Sequence, residues 1–235
     1  MAKQLSVEVW SDTACPWCYV GKRRLEQALA SFPHADRVRV RYRAFQLDPS
    51  APRVDDGSLS HAERLARKYG TTPVQAQAMT DRLVNVAASD GIGMRFDIIR
   101  SGNTFDAHRL LALAHARGLG AQLKERLLRA YFCEGARLGM HEDLLRLAVE
   151  VGLEADEVQG VLAGDLFSAE VRADLEQARR YGISGVPFFV LGRYGVSGAQ
   201  PAELLREALH KAWDEASDEL PEAETGVACD AEGCS

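Results

Sequence analysis

The chain has 235 residues, enough for one or two domains with a substantial core, and its 46% hydrophobic and 26% charged content is ordinary for a globular protein. No apolar run approaches the roughly 18 residues of a membrane-spanning helix, which predicts no membrane partner. The net charge is −6, but residues 212–235 carry eight acidic and no basic side chains, which leaves +2 on the remainder. Nucleic-acid binders usually have a strongly basic domain, so that class is disfavoured.

The first predicted element is a strand at 5–10, where apolar and β-branched residues partly alternate. After a short polar loop, Cys15-Pro16-Trp17-Cys18 opens a run with apolar residues at helical spacing that Pro33 closes. The N-terminal residues enter the strand without a secretion-signal pattern. Together with paired cysteines, which in a reducing compartment are more often catalytic or metal-binding than structural, this predicts a cytoplasmic protein.

The placement of the CxxC motif indicates redox chemistry. A thiol in the first turn of a helix lies near unpaired N–H groups and the positive end of the helix dipole, and both favour the reactive thiolate. The spacing brings both sulfurs onto one face, close enough to bridge, and Pro16 suits the first helical position. The alternatives are a structural disulfide or half of a zinc site.

The remaining elements describe an interrupted α/β unit. Residues 38–46 alternate as a second strand, with arginines on one face that indicate either a solvated edge or an electropositive patch. From Leu59 to about Tyr181 the pattern is mostly helical, and two short strands and a helix from Pro201 to about Glu215 follow. The predicted helices are 59–69, 74–89, 106–117, 120–133, 141–151, 154–163 and 166–181.

The chain resembles the DsbA-like thioredoxin-fold family through Cys15–Cys18, the helical insertion, and the Gly-Val-Pro-Phe-Phe-Val segment at 185–190. The segments at 103–109 and 197–201 resemble its FrnE-type branch. The architecture is shared with 2-hydroxychromene-2-carboxylate isomerases and kappa-class glutathione transferases. The resemblance implies an α/β thioredoxin fold interrupted by a large all-helical insertion. We expect a thioredoxin-like domain at 1–55 plus 182–219, an insertion domain at 56–181, and a flexible acidic tail at 220–235.

The resemblance also implies a set of site residues. Pro187 corresponds to a cis-proline that faces the dithiol, and Val186 before it would pair with an extended substrate segment. Cys15 would be the exposed nucleophile and Cys18 the resolving cysteine, with Pro16 and Trp17 tuning the redox poise. The expected substrate contacts are an apolar rim of Trp17, Tyr19 and Phe188, together with Asn103 and His108 near the groove.

The implied activity is thiol–disulfide exchange or isomerisation in protein or peptide substrates. It needs no metal and no cofactor beyond the dithiol, although glutathione could be a co-substrate. One alternative is a glutathione-dependent isomerase or transferase of the same fold, but such relatives typically carry serine where this chain has Cys15. Another is a chaperone-like or zinc-holding protein with non-catalytic cysteines.

Three further cysteines lie outside the motif. Cys229 and Cys234 form a CX4C pair in the acidic tail, for which we expect auxiliary redox exchange with the motif. A structural clasp, a metal ligand or no role are the alternatives. Cys133 follows two aromatic residues in a predicted helix and is expected to be a buried small apolar side chain.

Overall fold

The computed structural model describes residues 3–55 and 57–216. The predicted tail, with Cys229 and Cys234, lies outside the described residues. Within them, no helix is long and apolar enough to cross a membrane. The helices and strands in chain order are β1 (Leu5–Ser11), α1 (Pro16–Ala30), β2 (Val38–Ala44), α2 (His61–Tyr69), α3 (Pro73–Ser89), α4 (Phe105–Ala116), α5 (Gly120–Arg129), α6 (His141–Glu150), α7 (Ala155–Ala163), α8 (Ser168–Arg180), β3 (Phe188–Leu191), β4 (Tyr194–Ser197) and α9 (Ala202–Glu215).

The strands form a mixed sheet in the order β2-β1-β3-β4. β1 pairs in parallel with β2 and antiparallel with β3, which places Val9 between Tyr42 and Phe189. Since side chains alternate across a strand, one face of the sheet is apolar and packs against α1 and α9. Helix α8 covers part of the other face, where Trp10 Nε1 donates to the Asp174 carbonyl at 3.1 Å. The thioredoxin-like α/β fold expected from the sequence is confirmed.

The helical segment between β2 and β3 has its own core of buried leucine, alanine and aromatic side chains. Helix α1 belongs to both cores, because Tyr19 and Val20 pack into this helical core while Leu25 and Ala28 pack against the sheet. The predicted helix at 120–133 differs in detail: α5 ends at Arg129 and a π-helical turn follows from Ala130 to Glu134. The domain boundaries stay a prediction.

Candidate active site

The Cys15–Cys18 motif lies where β1 ends and α1 begins. Cys15 is the N-cap residue of α1, and its Sγ accepts the N–H of Cys18 at 3.3 Å. Pro16 lies in the first turn, where a missing N–H leaves no helical hydrogen bond unmade. Both cysteines are free thiols. The placement of the motif at a helix N-terminus, predicted from the sequence, is therefore confirmed.

The segment before β3 lies against this motif. The Val186–Pro187 peptide bond is cis, as the family resemblance implies. The Cys15 thiol donates to the Val186 carbonyl at 3.5 Å. The two segments are separated by 171 positions along the chain, so the tertiary fold alone brings this carbonyl to the sulfur.

The environment of Cys15 differs from the expectation in two respects. Cys15 is only 3% exposed, and not the freely exposed nucleophile expected from the sequence, because the Val186 carbonyl and the surrounding residues enclose its sulfur. Burial and the neighbouring Cys18 thiol raise the pKa of the Cys15 thiol well above its ordinary value, and Asp12 raises it further. The Cys18 N–H lowers the same pKa. The N–H at the helix terminus therefore opposes the effect of burial on the pKa of Cys15, but it does not by itself produce a thiolate.

A buried polar cluster lies beside the dithiol, formed by Asp12, His108 and Lys124. Asp12 Oδ2 accepts the N–H of Leu47 at 2.8 Å, and its Oδ1 lies 3.4 Å from His108 Nε2. Burial would raise the pKa of Asp12, but His108, the Leu47 N–H and Lys124 outweigh it and hold that pKa below its usual value. Asp12 is therefore an anion near Cys15 at neutral pH.

Lys124 supplies the cation of this cluster. It projects from α5, is 0% exposed, and has no hydrogen-bond partner for Nζ within the described residues. The Nζ atom lies 5.8 Å from the centroid of the Tyr42 ring. Burial lowers the pKa of Lys124 to about 8, although Cys18, Asp12 and Cys15 act in the opposite direction. A buried ammonium without a fixed partner stabilises negative charge that develops on a nearby sulfur.

Cys15 opens onto a cavity of about 620 Å³ between the motif and helices α2 and α3. This volume suits a small molecule or a few residues of a peptide. The wall is mostly apolar and includes Tyr131 and Phe132 from the π-helical turn. The other apolar and aromatic residues of the wall are Ala14, Pro16, Trp17, Leu47, Ala51, Pro52, Leu65, Tyr69, Met79, Leu83, Val86, Phe96, Ile99 and Val186.

The predicted apolar rim needs correction. Trp17 does line the cavity and is 42% exposed. Tyr19 instead packs into the helical core and donates its hydroxyl to Glu125 at 2.8 Å. It lies two residues after Trp17 in α1, so the two side chains point to opposite sides of the helix. Phe188 pairs opposite Trp10 in the sheet and packs there. The structure puts Tyr69 and Met79 of the insertion at the cavity with Trp17, and both are more than 40% exposed.

Asn103 and His108 lie near the cavity but do not form its wall. Asn103 donates from Nδ2 to the carbonyls of Pro49 and Ala51, each at 3.2 Å, and its Oδ1 accepts the N–H of Phe105 at 2.9 Å. It therefore ties the loop after β2 to the start of α4. His108 is buried against Asp12. Contact of either residue with substrate stays a prediction.

The sequence reasoning missed Asp12, Lys124, Tyr69 and Met79. A signal for Lys124 was available, because it lies four residues after Gly120 and four before Leu128, on the buried stripe of an amphipathic helix. Asp12 directly follows a strongly apolar strand. Tyr69 and Met79 gave no such signal, since isolated exposed apolar residues are normal on protein surfaces.

The third described cysteine is set apart from the dithiol. Cys133 lies in the π-helical turn, half-buried beside the helical core, and burial raises the pKa of its thiol. Within residues 3–55 and 57–216, no group of three or more His, Cys, Asp or Glu side chains could hold a metal ion.

A thioredoxin-like sheet with two free cysteines at the start of its first helix defines the class of thioredoxin-fold dithiol proteins. Comparison with known proteins narrows this class. The model of the family described as DSBA-like thioredoxin domain matches residues 6–210. The chain therefore belongs to this family.

Three relatives illustrate the match. A probable DsbA oxidoreductase from Streptomyces coelicolor, SCO1869, is 46% identical, with 99% of each chain covered and a TM-score of 0.85. The uncharacterized protein YwbO of Bacillus subtilis is 26% identical over 206 residues, covering 86% of this chain and 94% of that protein. The cytosolic disulfide reductase DsbM of Pseudomonas aeruginosa is 19% identical with a TM-score of 0.59, covers 90% and 100% of the two chains, and shares the fold.

Proposed function

We propose that the protein is a thiol–disulfide oxidoreductase that exchanges or isomerises disulfides in peptide and protein substrates through Cys15 and Cys18. The observation that carries the proposal is the position of Cys15. Its thiol is free, caps the N-terminus of α1, and opens onto a cavity large enough for part of a substrate. Membership of the DsbA-like family supports the same chemistry.

The reaction proceeds by two displacements at sulfur. The Cys15 thiolate attacks one sulfur of the substrate disulfide, forms a mixed disulfide, and releases the other substrate sulfur as a thiolate. The Cys18 thiolate then attacks Cys15 Sγ, which forms the Cys15–Cys18 disulfide and releases the second substrate thiolate. The substrate gains two electrons and the enzyme loses two. Oxidation of substrate dithiols is the reverse sequence. In isomerisation, another thiolate of the substrate attacks the substrate sulfur of the mixed disulfide and releases the Cys15 thiolate before Cys18 attacks.

The buried polar cluster adjusts the charge on the sulfurs. The Lys124 ammonium stabilises thiolate, while the Asp12 carboxylate raises the pKa of Cys15. Burial and Cys18 have the largest effects on the pKa of Cys15, and the charges of Asp12 and Lys124 modify it in opposite directions. Asp12 and Lys124 are positioning residues in this scheme, because both act on the reaction through the ionisation of the sulfurs.

In this proposal the dithiol supplies the redox chemistry without a further cofactor, and glutathione is a reductant of the oxidised enzyme. A DsbM structure with GSH gives this co-substrate a precedent in a protein of the same fold. DsbM is described as cytosolic, which supports a cytoplasmic location. The retained Cys15 and Cys18 pair favours redox exchange over the glutathione-dependent isomerase alternative, which needs no resolving cysteine.

The test is reduction of insulin disulfides driven by dithiothreitol. Wild type should accelerate the reaction, and Cys15→Ser should not. Cys133→Ser is the matched control, since it removes a thiol outside the dithiol and should keep the wild-type rate. If wild type is no faster than dithiothreitol alone, exchange on protein disulfides is refuted and isomerase chemistry becomes the better candidate.

A further inference from the structure

The cavity beside Cys15 extends well beyond the sulfur, towards the hairpin of α2 and α3. At its mouth lie Trp17, Tyr69 and Met79, and deeper residues such as Leu83 and Phe132 form an apolar wall. A chemical group that enters this space meets Cys15 at one end and the α2–α3 hairpin at the other. The cavity therefore has room for an apolar body attached to the sulfur under attack.

The acidic groups at the cavity already have partners. Asp12 accepts the Leu47 N–H, Asp48 accepts the Ser50 hydroxyl at 2.6 Å, and Asp55 forms an ion pair with Arg64 at 2.7 Å. The cavity wall has three cationic side chains, Arg64, Lys68 and Arg82. The positive charge of Arg64 is therefore already paired with a carboxylate.

The other two cations are not engaged by carboxylates. Lys68 and Arg82 both line the cavity and are exposed, and neither forms an ion pair with any described residue. Lys68 Nζ lies 6.0 Å from the Tyr69 ring centroid, and Arg82 Nε donates to the Ala78 carbonyl at 3.2 Å. His61, the remaining basic group on the wall, has a pKa lowered to about 4 by burial, so its imidazole is neutral at pH 7. The end of the cavity at α2 and α3 therefore carries positive charge, and it is the end away from the Cys15 sulfur.

We infer that the cavity binds low-molecular-weight disulfides that carry a carboxylate, with the anion at Lys68 and Arg82, the apolar body against the wall, and the disulfide at Cys15. This inference rests on the proposed thiol–disulfide chemistry and adds a substrate class to it. An apolar pocket with a few convergent polar groups is the usual form of a small-molecule site. Charge complementarity at its far end supplies the specificity.

The chemistry can be followed in a single turnover with a model compound, dithiobis(nitrobenzoate), which has an aromatic body and carboxylates. Cys15 thiolate attacks one of its sulfurs, the S–S bond breaks, and one thionitrobenzoate anion leaves. Cys18 thiolate attacks Cys15 Sγ of the mixed disulfide and releases the second thionitrobenzoate. The thiol protons pass to solvent, the compound takes up two electrons, and the enzyme becomes the Cys15–Cys18 disulfide.

The experiment measures this release by stopped-flow absorbance with pre-reduced enzyme, and all proteins carry serine in place of Cys133, Cys229 and Cys234 so that only the dithiol reacts. The test variant is Lys68→Gln combined with Arg82→Gln, and the control is Lys211→Gln combined with Arg39→Gln, which removes the same charge from exposed positions outside the cavity. A second compound, dithiodipyridine, has a similar aromatic body without carboxylates. Two solvent-exposed charge contacts predict a roughly five- to tenfold slower reaction of the test variant with dithiobis(nitrobenzoate).

The expected result is that this loss is specific. The test variant should react with dithiodipyridine within about twofold of wild type, the control should react normally with both compounds, and about 1 M salt should erase the difference. Equal losses with both compounds, or the same loss in the control, would overturn the anion site. In those cases rapid reaction of dithiodipyridine with wild type but not with Cys15→Ser would leave the proposed exchange chemistry standing. If neither compound reacts through Cys15, both proposals fail.

Discussion

A Cβ atom placed on Gly21 would lie 2.8 Å from Cγ of Pro187 and 3.1 Å from Cζ of Phe189. Real Cβ atoms do not approach other carbons as closely as 2.8 Å, so glycine at this point of α1 allows the helix to pack directly on the cis-proline segment. The same segment carries the carbonyl of Val186, which accepts from Cys15. The position of Cys15 relative to Val186 therefore depends on the missing side chain at Gly21.

Gly21→Ala should separate α1 from the Pro187 segment. We expect the free energy of unfolding to fall by roughly 1–2 kcal/mol, because overpacking costs about 1–3 kcal/mol and the better helix propensity of alanine returns up to about 1. The rate of disulfide exchange should also fall, because the position of Cys15 relative to Val186 would change. Urea unfolding and insulin reduction measure the two effects.

Gly160→Ala is the matched control for that substitution. Gly160 also lies inside a helix, α7, but a Cβ atom placed on it would have no neighbouring atom within 4 Å outside its own helical backbone. This variant should gain up to about 1 kcal/mol in the free energy of unfolding and keep the wild-type exchange rate. Equal behaviour of the two variants would contradict a packing role for Gly21.

Lys124→Met should stabilise the protein at neutral pH. The pKa of Lys124 is lowered from 10.5 to about 8 in the folded state, so the buried ammonium costs about 3 kcal/mol where it is charged. Methionine fills a similar volume without that charge. We expect the free energy of unfolding at pH 7 to rise by about 1–3 kcal/mol, as measured by urea unfolding.

The pH dependence of this gain has a defined sign. The unfolded chain keeps its proton up to pH 10.5, while folded Lys124 loses its proton near pH 8. The penalty in wild type is therefore full below pH 8 and is relieved as the pH rises towards 10.5. The difference between Lys124→Met and wild type should shrink over that range. A gap that is constant from pH 7 to pH 10 would show that Lys124 does not titrate as proposed.

Asp12→Asn and Lys124→Met should move the ionisation of Cys15 in opposite directions. Asp12 raises the pKa of the Cys15 thiol, so its neutral replacement should lower that pKa. Removal of the Lys124 ammonium should raise that pKa. The measurement is the pH profile of Cys15 alkylation by iodoacetamide, with all proteins in a Cys18→Ala background.

The Asn substitution retains an oxygen that can accept the Leu47 N–H, which limits structural damage. Shifts of the same sign in both variants would indicate a general change in burial and would refute opposing electrostatic effects. Cys133→Ser in the same background is the control, and its alkylation profile for Cys15 should match that of the parent.

Glu125 connects α1 to α5 and is expected to stabilise this contact. Its carboxylate accepts from the Tyr19 hydroxyl at 2.8 Å, from Lys22 at 2.5 Å and from Arg23 at 2.9 Å. Glu125→Gln keeps an acceptor for Tyr19 but leaves the buried Lys22 with Glu26 as its remaining anion. We expect a loss of about 1–3 kcal/mol at pH 7, measured by urea unfolding.

Burial opposes ionisation of Glu125, but Lys22, Tyr19 and Arg23 outweigh it and hold the pKa below its ordinary value of 4.5. Its stabilising effect is thus full above pH 4.5 and is lost as the pH falls through the lower, folded-state pKa. The difference between Glu125→Gln and wild type should shrink on acidification. Glu157→Gln, which breaks an exposed pair with Arg117, is the control and should leave the free energy of unfolding close to the wild-type value.

Local patterns in the sequence determined most of the secondary structure and the identity of the dithiol. The Cys15–Cys18 motif follows an apolar strand and opens a helix, and each of these features depends on neighbouring residues. The strand predicted at 38–46 is observed as Val38–Ala44, and the helix predicted at 74–89 is observed as Pro73–Ser89. The position of Pro187 beside the dithiol could be predicted only because the family resemblance implied a cis-proline that faces Cys15 and Cys18.

Only the tertiary structure decided the environment of the reactive sulfur. Val186 is 171 positions from Cys15, and Lys124 reaches the same region from a helix in the insertion. Burial of Cys15, the opposing charges of Asp12 and Lys124, and the cavity wall with Tyr69 all arise where distant segments pack together. Periodicity along the chain reports which residues are buried but not which of them meet, so the position of the motif was predictable and its surroundings were not.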